Sequence, residues 1–287
     1  MRRFYLITNR MKDADLKTTN WIREELQRRG ADCTVHVQEE NAGCYYTDSR
    51  EIPTGCECIM VLGGDGTLLE AARDTVDLDI PLIGVNLGTL GYLAEVDREN
   101  LSGALKRLCE GDYTIERRMM LEGQITGESD CRRSYALNDI VVSRSGSLQM
   151  LHFHIFVNGH FLKGYSADGI IVSTPTGSTG YNMSAGGPIV EPSAKLMVIT
   201  PICPHTLNTR SIVLSPDDEI EIVLLPARDG RTQQVEADFD GAHGMALAAG
   251  DHMRIIRSER TTAIVKLSDA GFLEVLHRKM KEEGGAL

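Results

Sequence analysis

Gly63, Gly64, Asp65, Gly66 and Thr67 set three glycines around one carboxylate, directly after an apolar run at 58–62 and at the start of a helical pattern. Glycines without Cβ let the chain turn sharply and bring backbone N–H groups against a ligand. Such N–H groups beside a helix N-terminus form a cradle for phosphate. The segment has neither the spacing nor the lysine of GxxxxGK[ST], and it is not GxGxxG. An aspartate inside a phosphate cradle repels its ligand unless a metal ion or a different role balances it, and accepting the proton of an attacking hydroxyl is one such role. The plainer alternative is a turn in which Asp65 only caps the bend.

Asn86 and the glycines at 88 and 91 follow a second apolar run, at 81–85. Glycines and an amide at the carboxyl end of a parallel strand sit where open α/β sheets bind ligands, and a simple strand-to-loop junction would look the same. A third cluster begins at Asp168. The apolar residues 169–172 lead into Ser173, Thr174, Thr176, Ser178 and Thr179, then Gly180, Tyr181, Asn182, Met183 and Ser184. Hydroxyls and free N–H groups at that density suit a nucleotide or sugar, with Tyr181 placed to stack on a base. Asn138 and Asp139 precede a further strand at 140–142. They make either a turn or a grip on the two hydroxyls of a ribose.

The elements that hold these groups follow from periodicity. Residues 3–8, 34–37, 58–62 and 81–85 read as strands, and 15–29, 67–75 and 101–111 as helices, with Thr67 and Glu70 spaced for a capping box. Alternating strands and helices imply a parallel sheet covered by helices. After about residue 112 the pattern changes to period two. Leu151, Phe153, Ile155 and Val157 share a face, Asn158–Gly159 predicts a tight hairpin, and 219–224 and 252–256 alternate likewise. The expectation is an α/β domain over 1–112 and a mainly antiparallel β domain over 113–256. A helical segment at 268–281 suggests that 257–287 returns to the first domain.

The 287 residues carry 30 Lys plus Arg against 41 Asp plus Glu, a net charge of −11. That balance argues against a protein that wraps nucleic acid by bulk charge. No apolar run approaches the ~18 residues of a membrane span, and the first residues lack the apolar core of a secretion signal, so a cytoplasmic chain is expected. Seven scattered cysteines suggest no disulfide framework. No metal site is expected. His152, His154 and His160 are explained by an exposed polar face, and Asp238, Asp240 and Gly241 lack the downstream glutamate of a calcium loop.

The segments at 63–67, 86–93, 136–139, 168–188, 200–207 and 240–242, in this order and spacing, resemble NAD kinases over nearly the whole chain. The loop at 63–67 alone is shared with lipid kinases, whereas the cluster at 168–188 with the segment Thr200 to His205 is specific. The resemblance implies a two-domain NAD kinase-like fold and transfer of the γ-phosphoryl group of ATP, or of polyphosphate, to the 2′-hydroxyl of the adenosine ribose of NAD. It implies Asp65 as general base, Gly63, Gly64, Gly66 and Thr67 as the phosphate loop, and Asn86 nearby. Asn138 and Asp139 would hold the ribose, Asp168 would lie near the nicotinamide half, and Thr179 through Ser184 would line the dinucleotide pocket. Mg2+ would arrive with ATP, and a homodimer or homotetramer is expected. Asp139 stands where glutamate is frequent, Gly180 where alanine is, Ala242 where glutamine is, and Ser166 where some members have a basic residue.

Overall fold

The computed structural model describes residues 1–37, 47–88, 91–127, 131–146, 150–206, 209–226, 234–241, 244–267 and 271–284, with side chains to 281. They form two compact units, Met1–Arg117 with Thr262–Leu287, and Arg118–Thr261.

The first unit opens with β1 (Arg3–Thr8), α1 (Lys17–Arg28), β2 (Asp32–Val37), β3 (Cys58–Gly63), α2 (Asp65–Asp74), β4 (Leu82–Asn86), β5 (Val96–Asp97) and α3 (Leu101–Glu110). Its strands are parallel in the order β2-β1-β3-β4-β5. Strands buried on both faces need continuous apolar runs, and β3 and β4 are buried throughout. Phe4, Leu6, Met60, Leu62, Ile83 and Val85 form one core with Ile22 and Leu26 of α1 and Leu101, Leu105 and Leu108 of α3. α2 lies on the opposite face, where a Cβ added at Gly84 would sit 3.6 Å from Leu68. α3 stops at Gly111, whose φ of 84° is the left-handed closure that glycine adopts without strain. The order 2-1-3 matters most. The chain leaves β1 toward β2 on one side, while β3 lies on the other, so a crevice opens at the carboxyl ends of β1 and β3.

The second unit contains β6 (Thr114–Thr126), β7 (Cys131–Ala136), β8 (Asp139–Arg144), β9 (Leu151–Val157), β10 (His160–Ala167), β11 (Gly169–Ser173), α4 (Tyr181–Ser184), β12 (Met197–Ile202), β13 (Ile212–Leu214), β14 (Ile220–Leu224), β15 (Val235–Phe239) and β16 (Gly244–Leu247). The long β17 (His252–Lys266) pairs antiparallel with β14 through its first residues, and Ile264 pairs parallel with Leu82 of β4. An antiparallel sheet runs β13-β12-β11-β8-β15-β16. Its inward residues Ile140, Val142, Ile170, Val172, Ala237 and Phe239 pack against Phe153, Ile155, Ile222, Met253 and Ile255 of β9, β14 and β17. The hairpin between β9 and β10 turns at Asn158 and Gly159 with φ of 53° and 75°, as their sequence predicts. α5 (Phe272–Gly284) closes the chain in the first unit.

Two expectations change. α2 begins at Asp65 rather than Thr67 and no side chain caps it, because the extended Gly64 takes the cap position. The Thr67–Glu70 capping box therefore does not form. β17 continues ten residues beyond Ile256, through a polar stretch that alternation did not mark.

Gly123 of β6 sits in the core, where an added Cβ would lie 2.6 Å from Met253, 2.7 Å from Phe239 and 2.9 Å from Ile140. Gly123→Ala is expected to destabilise the second unit by about 1–3 kcal/mol through overpacking; urea denaturation followed by circular dichroism measures it.

Candidate active site

In the first unit, three loops gather at the carboxyl ends of β1, β3 and β4. Asp65 is the first residue of α2, and its carboxylate accepts from Tyr92 N at 2.7 Å and Leu93 N at 3.3 Å. These bonds orient the carboxylate and tie the loop after β4 to the loop after β3. Only glycine fits at 91, since an added Cβ would lie 1.9 Å from Asp65 Oδ1. Gly63 is similarly constrained by Thr67 Oγ1 at 2.4 Å from its would-be Cβ, whereas Gly66 is exposed and open. Thr67 is buried and its hydroxyl accepts from Asn9 Nδ2 at 3.1 Å, so it braces the loop after β1. Asn86 is also buried and spends its amide on Gly88, accepting from its N–H at 3.0 Å and donating to its carbonyl at 3.1 Å. Above this loop the Lys279 ammonium lies 5.6 Å from the Tyr92 ring.

The second unit carries a different device. The turn before β8 is held by Asp240, whose carboxylate accepts from Leu137 N (2.8 Å), Asn138 N (2.7 Å) and Asp139 N (3.1 Å). Asp240 occupies a left-handed φ of 57°, a conformation that aspartate tolerates better than most residues. The result is two buried polar groups kept ready. Asn138 Oδ1 is buried without a hydrogen-bond partner. The Asp139 carboxyl is pushed up to about 7, first by burial and then by the charge of Asp240. Buried polar atoms without partners are costly and mark places where a ligand completes the bonding.

The hydroxyl-rich cluster wraps this turn, and most of its hydroxyls face inward. Thr174 Oγ1 donates to Leu137 O at 2.6 Å, Ser178 Oγ to Pro175 O at 2.7 Å, and Ser173 Oγ to Thr174 O at 2.9 Å. Asn182 is fully buried, donating to Ser178 O and Pro188 O and accepting from Thr200 Oγ1 at 2.7 Å. Ser173, Thr174, Ser178 and Asn182 thus build the wall with bonds internal to the protein. Gly177 abuts the turn, and a Cβ there would meet Asn138 O at 2.2 Å. The would-be Cβ of Gly180 lies 3.5 Å from Asn138 Nδ2 and 3.9 Å from Asp139 Oδ2, so the segment passes beside the two buried polar groups. Thr179 is buried, Tyr181 and Ser184 are exposed, and Met183 is half-buried. Asp168 is bound by Arg144, with Nε donating at 3.1 Å and Nη2 at 3.3 Å. His152 bonds Ser166 Oγ at 2.8 Å. Residue 242 lies outside the described residues.

Sequence reading missed Asn9 and Lys12 of the loop after β1, and the bracing roles of Asp240 and Arg144. The signal for the first pair was available, since a polar segment follows the strand at 3–8 as the glycine loops follow theirs. Among the described residues no three His, Cys, Asp or Glu side chains form a metal-binding group, and no helix is long and apolar enough to cross a membrane.

A glycine loop at a helix N-terminus on the carboxyl edge of a parallel sheet is the geometry of a phosphate-binding site. The models of the ATP-NAD kinase N-terminal and C-terminal domains match residues 4–113 and 137–267. The chain is 45% identical over 293 residues to an NAD kinase of Lachnospira eligens, covering 98% of this chain and 100% of that one. It is 43% identical over 289 residues to an NAD kinase of Lachnoclostridium phytofermentans, covering 99% and 100%. An NAD kinase from Archaeoglobus fulgidus, solved in complex with ATP, superposes with a TM-score of 0.78 at 25% identity, covering 98% of this chain and 99% of that one. Yeast NADH kinase complexed with NADH shares the fold, with a TM-score of 0.81 at 22% identity over 98% and 88%. The chain belongs to the NAD kinase family.

The raised Asp139 carboxyl sets a pH dependence of stability. Below the unfolded carboxylate value, near 4, both states hold the proton. From there to about 7 the unfolded chain gives up the proton while the folded one keeps it, so stability falls as pH rises through this window. Asp139→Asn removes the effect. Its Tm is expected to equal wild type near pH 4 and to exceed it by several degrees at pH 8, as read by differential scanning calorimetry.

Proposed function

We propose that this protein is an NAD kinase, transferring the γ-phosphoryl group of ATP to the 2′-hydroxyl of the adenosine ribose of NAD and releasing NADP and ADP. In this reading the 2′-oxygen forms a bond to the γ-phosphorus as the bond from that phosphorus to the β,γ-bridging oxygen breaks. The leaving ADP keeps the electron pair, and the hydroxyl proton passes to the Asp65 carboxylate. The observation that carries the reading is the placement of Asp65. Its carboxylate stands in a glycine loop at a helix N-terminus, held by Tyr92 N and Leu93 N and therefore aimed. A loop that only bound phosphate gains nothing from a charge of the same sign.

The first unit handles the phosphates through Gly63, Gly64 and Gly66, while Thr67 and Asn86 keep those loops in shape. In the second unit Asn138 and Asp139 accept from the ribose hydroxyls, satisfying the orphaned Asn138 Oδ1. Asp168, fixed by Arg144, orients the nicotinamide half, and the segment from Thr179 to Ser184 lines the dinucleotide, with the exposed Tyr181 against a base. Magnesium enters on the triphosphate, held by phosphate oxygens and water, and supplies charge neutralisation there. The enzyme works in the cytoplasm as a homodimer or homotetramer, with ATP or inorganic polyphosphate as donor.

The test is NADP formation from NAD with ATP or polyphosphate, with and without magnesium, set against a lipid alcohol as acceptor. Asp65→Asn is expected to lower kcat by about 10²–10⁴-fold while changing the Kd for NAD less than about three-fold. Turnover near wild type would refute the base role.

A further inference from the structure

We propose that Lys12 is a catalytic residue that contacts the transferring phosphoryl group and supplies the positive charge missing from the loop at 63–67. This rests on the kinase reading above. The loop sets a carboxylate where a polyanion must arrive, and the glycines themselves bring only partial charges. The first unit places an ammonium at that point. A Cβ added at Gly64 would lie 2.6 Å from Lys12 Nζ, and one added at Gly88 3.8 Å, so the lysine head lies over two glycine loops, after β3 and after β4. Bare glycine at both positions leaves it room and leaves it facing backbone rather than side chains.

The placement is built. The loop after β1 is tied down by Asn9, whose N–H donates to Leu62 O at 2.9 Å and whose carbonyl accepts from Lys12 N at 3.0 Å and Asp13 N at 3.1 Å. Its side chain donates to Thr67 Oγ1 at 3.1 Å and accepts from Met11 N at 3.0 Å. On the far side the buried Asp13 carboxylate accepts from Thr19 N at 2.8 Å and from Thr19 Oγ1 at 2.7 Å, anchoring the entry to α1. Between these anchors Arg10, Met11 and Lys12 are exposed, and of the three it is the Lys12 ammonium that lies against the glycine loops; among the described residues it has no carboxylate partner. A lysine free of an ion pair, fixed at its backbone and aimed at a glycine loop in the crevice between β1 and β3, is placed to meet phosphate oxygens. As the γ-phosphorus leaves the bridging oxygen for the 2′-oxygen, charge builds on its equatorial oxygens and on the departing ADP. An ammonium already in place stabilises both.

Steady-state kinetics of Lys12→Met and Lys12→Arg test this in the full-length protein. Lys12→Met is expected to lower kcat with ATP by about 10²–10³-fold, with the Kd for NAD within about two-fold of wild type and Tm unchanged. The affinity for inorganic tripolyphosphate, measured by calorimetry, is expected to fall at least about ten-fold. Lys12→Arg, which keeps the charge, is expected to recover at least about a tenth of the lost rate. Gly64→Ala, which pushes the ammonium aside, is expected to resemble Lys12→Met. Turnover of Lys12→Met within three-fold of an active wild type overturns the inference and leaves the kinase reading standing. A wild type that forms no NADP overturns both.

Discussion

In the proposed reaction Asp65 takes a proton and so must be charged, and it must sit where phosphates, also charged, come to rest. The first unit resolves this with backbone. Two amides from the loop after β4 point at the carboxylate, and the helix that begins at Asp65 adds its own partial positive charge. The glycines at 63 and 91 are then requirements of volume. A methyl group at 63 or 91 would meet Thr67 or Asp65 itself, and one at 64 would displace the Lys12 ammonium. The loops after β1, β3 and β4 are consequently one interlocked object, with Asn9, Thr67 and Asn86 as its internal fasteners.

The second unit uses a carboxylate in the opposite sense. Asp240 is fully committed to the turn at 137–139, and it is the charge that makes its neighbour Asp139 reluctant to ionise. The surrounding serines and threonines face inward, so the wall is a hydrogen-bonded solid rather than a pliable loop. Stability is spent to keep Asn138 Oδ1 buried and unpartnered beside the buried Asp139 carboxyl, an arrangement expected of preorganised sites.

What the sequence makes legible depends on whether the cause is local. The runs at 58–62 and 81–85 could be read as buried strands because both faces of a parallel sheet must be apolar, and Asn158–Gly159 could be read as a turn because both residues take positive φ. The start of α2 could not, since a glycine cap leaves no side-chain signature and Thr67 was available to look like one. The polar half of β17 was hidden because its outward residues alternate with threonines and serines as readily as a loop would. Within the site, composition located the segments at 63–67, 138–139 and 168–184. It could not say that Asn182 is buried and spent, or that Asp240, a hundred residues away, shapes the turn before β8.

The first unit borrows the end of the chain. Ile264 pairs with Leu82, Val265 and Leu267 enter the core with Phe4 and Leu6, and Arg107 of α3 donates to the carbonyl of Leu267. A ribosome that has finished the first 117 residues has therefore made an open sheet whose β4 flank waits for a strand some 150 residues downstream. Such long-range closure slows folding and leaves an apolar edge exposed during synthesis. The unit that carries the glycine loops is therefore complete only once residues 262–267 are in place.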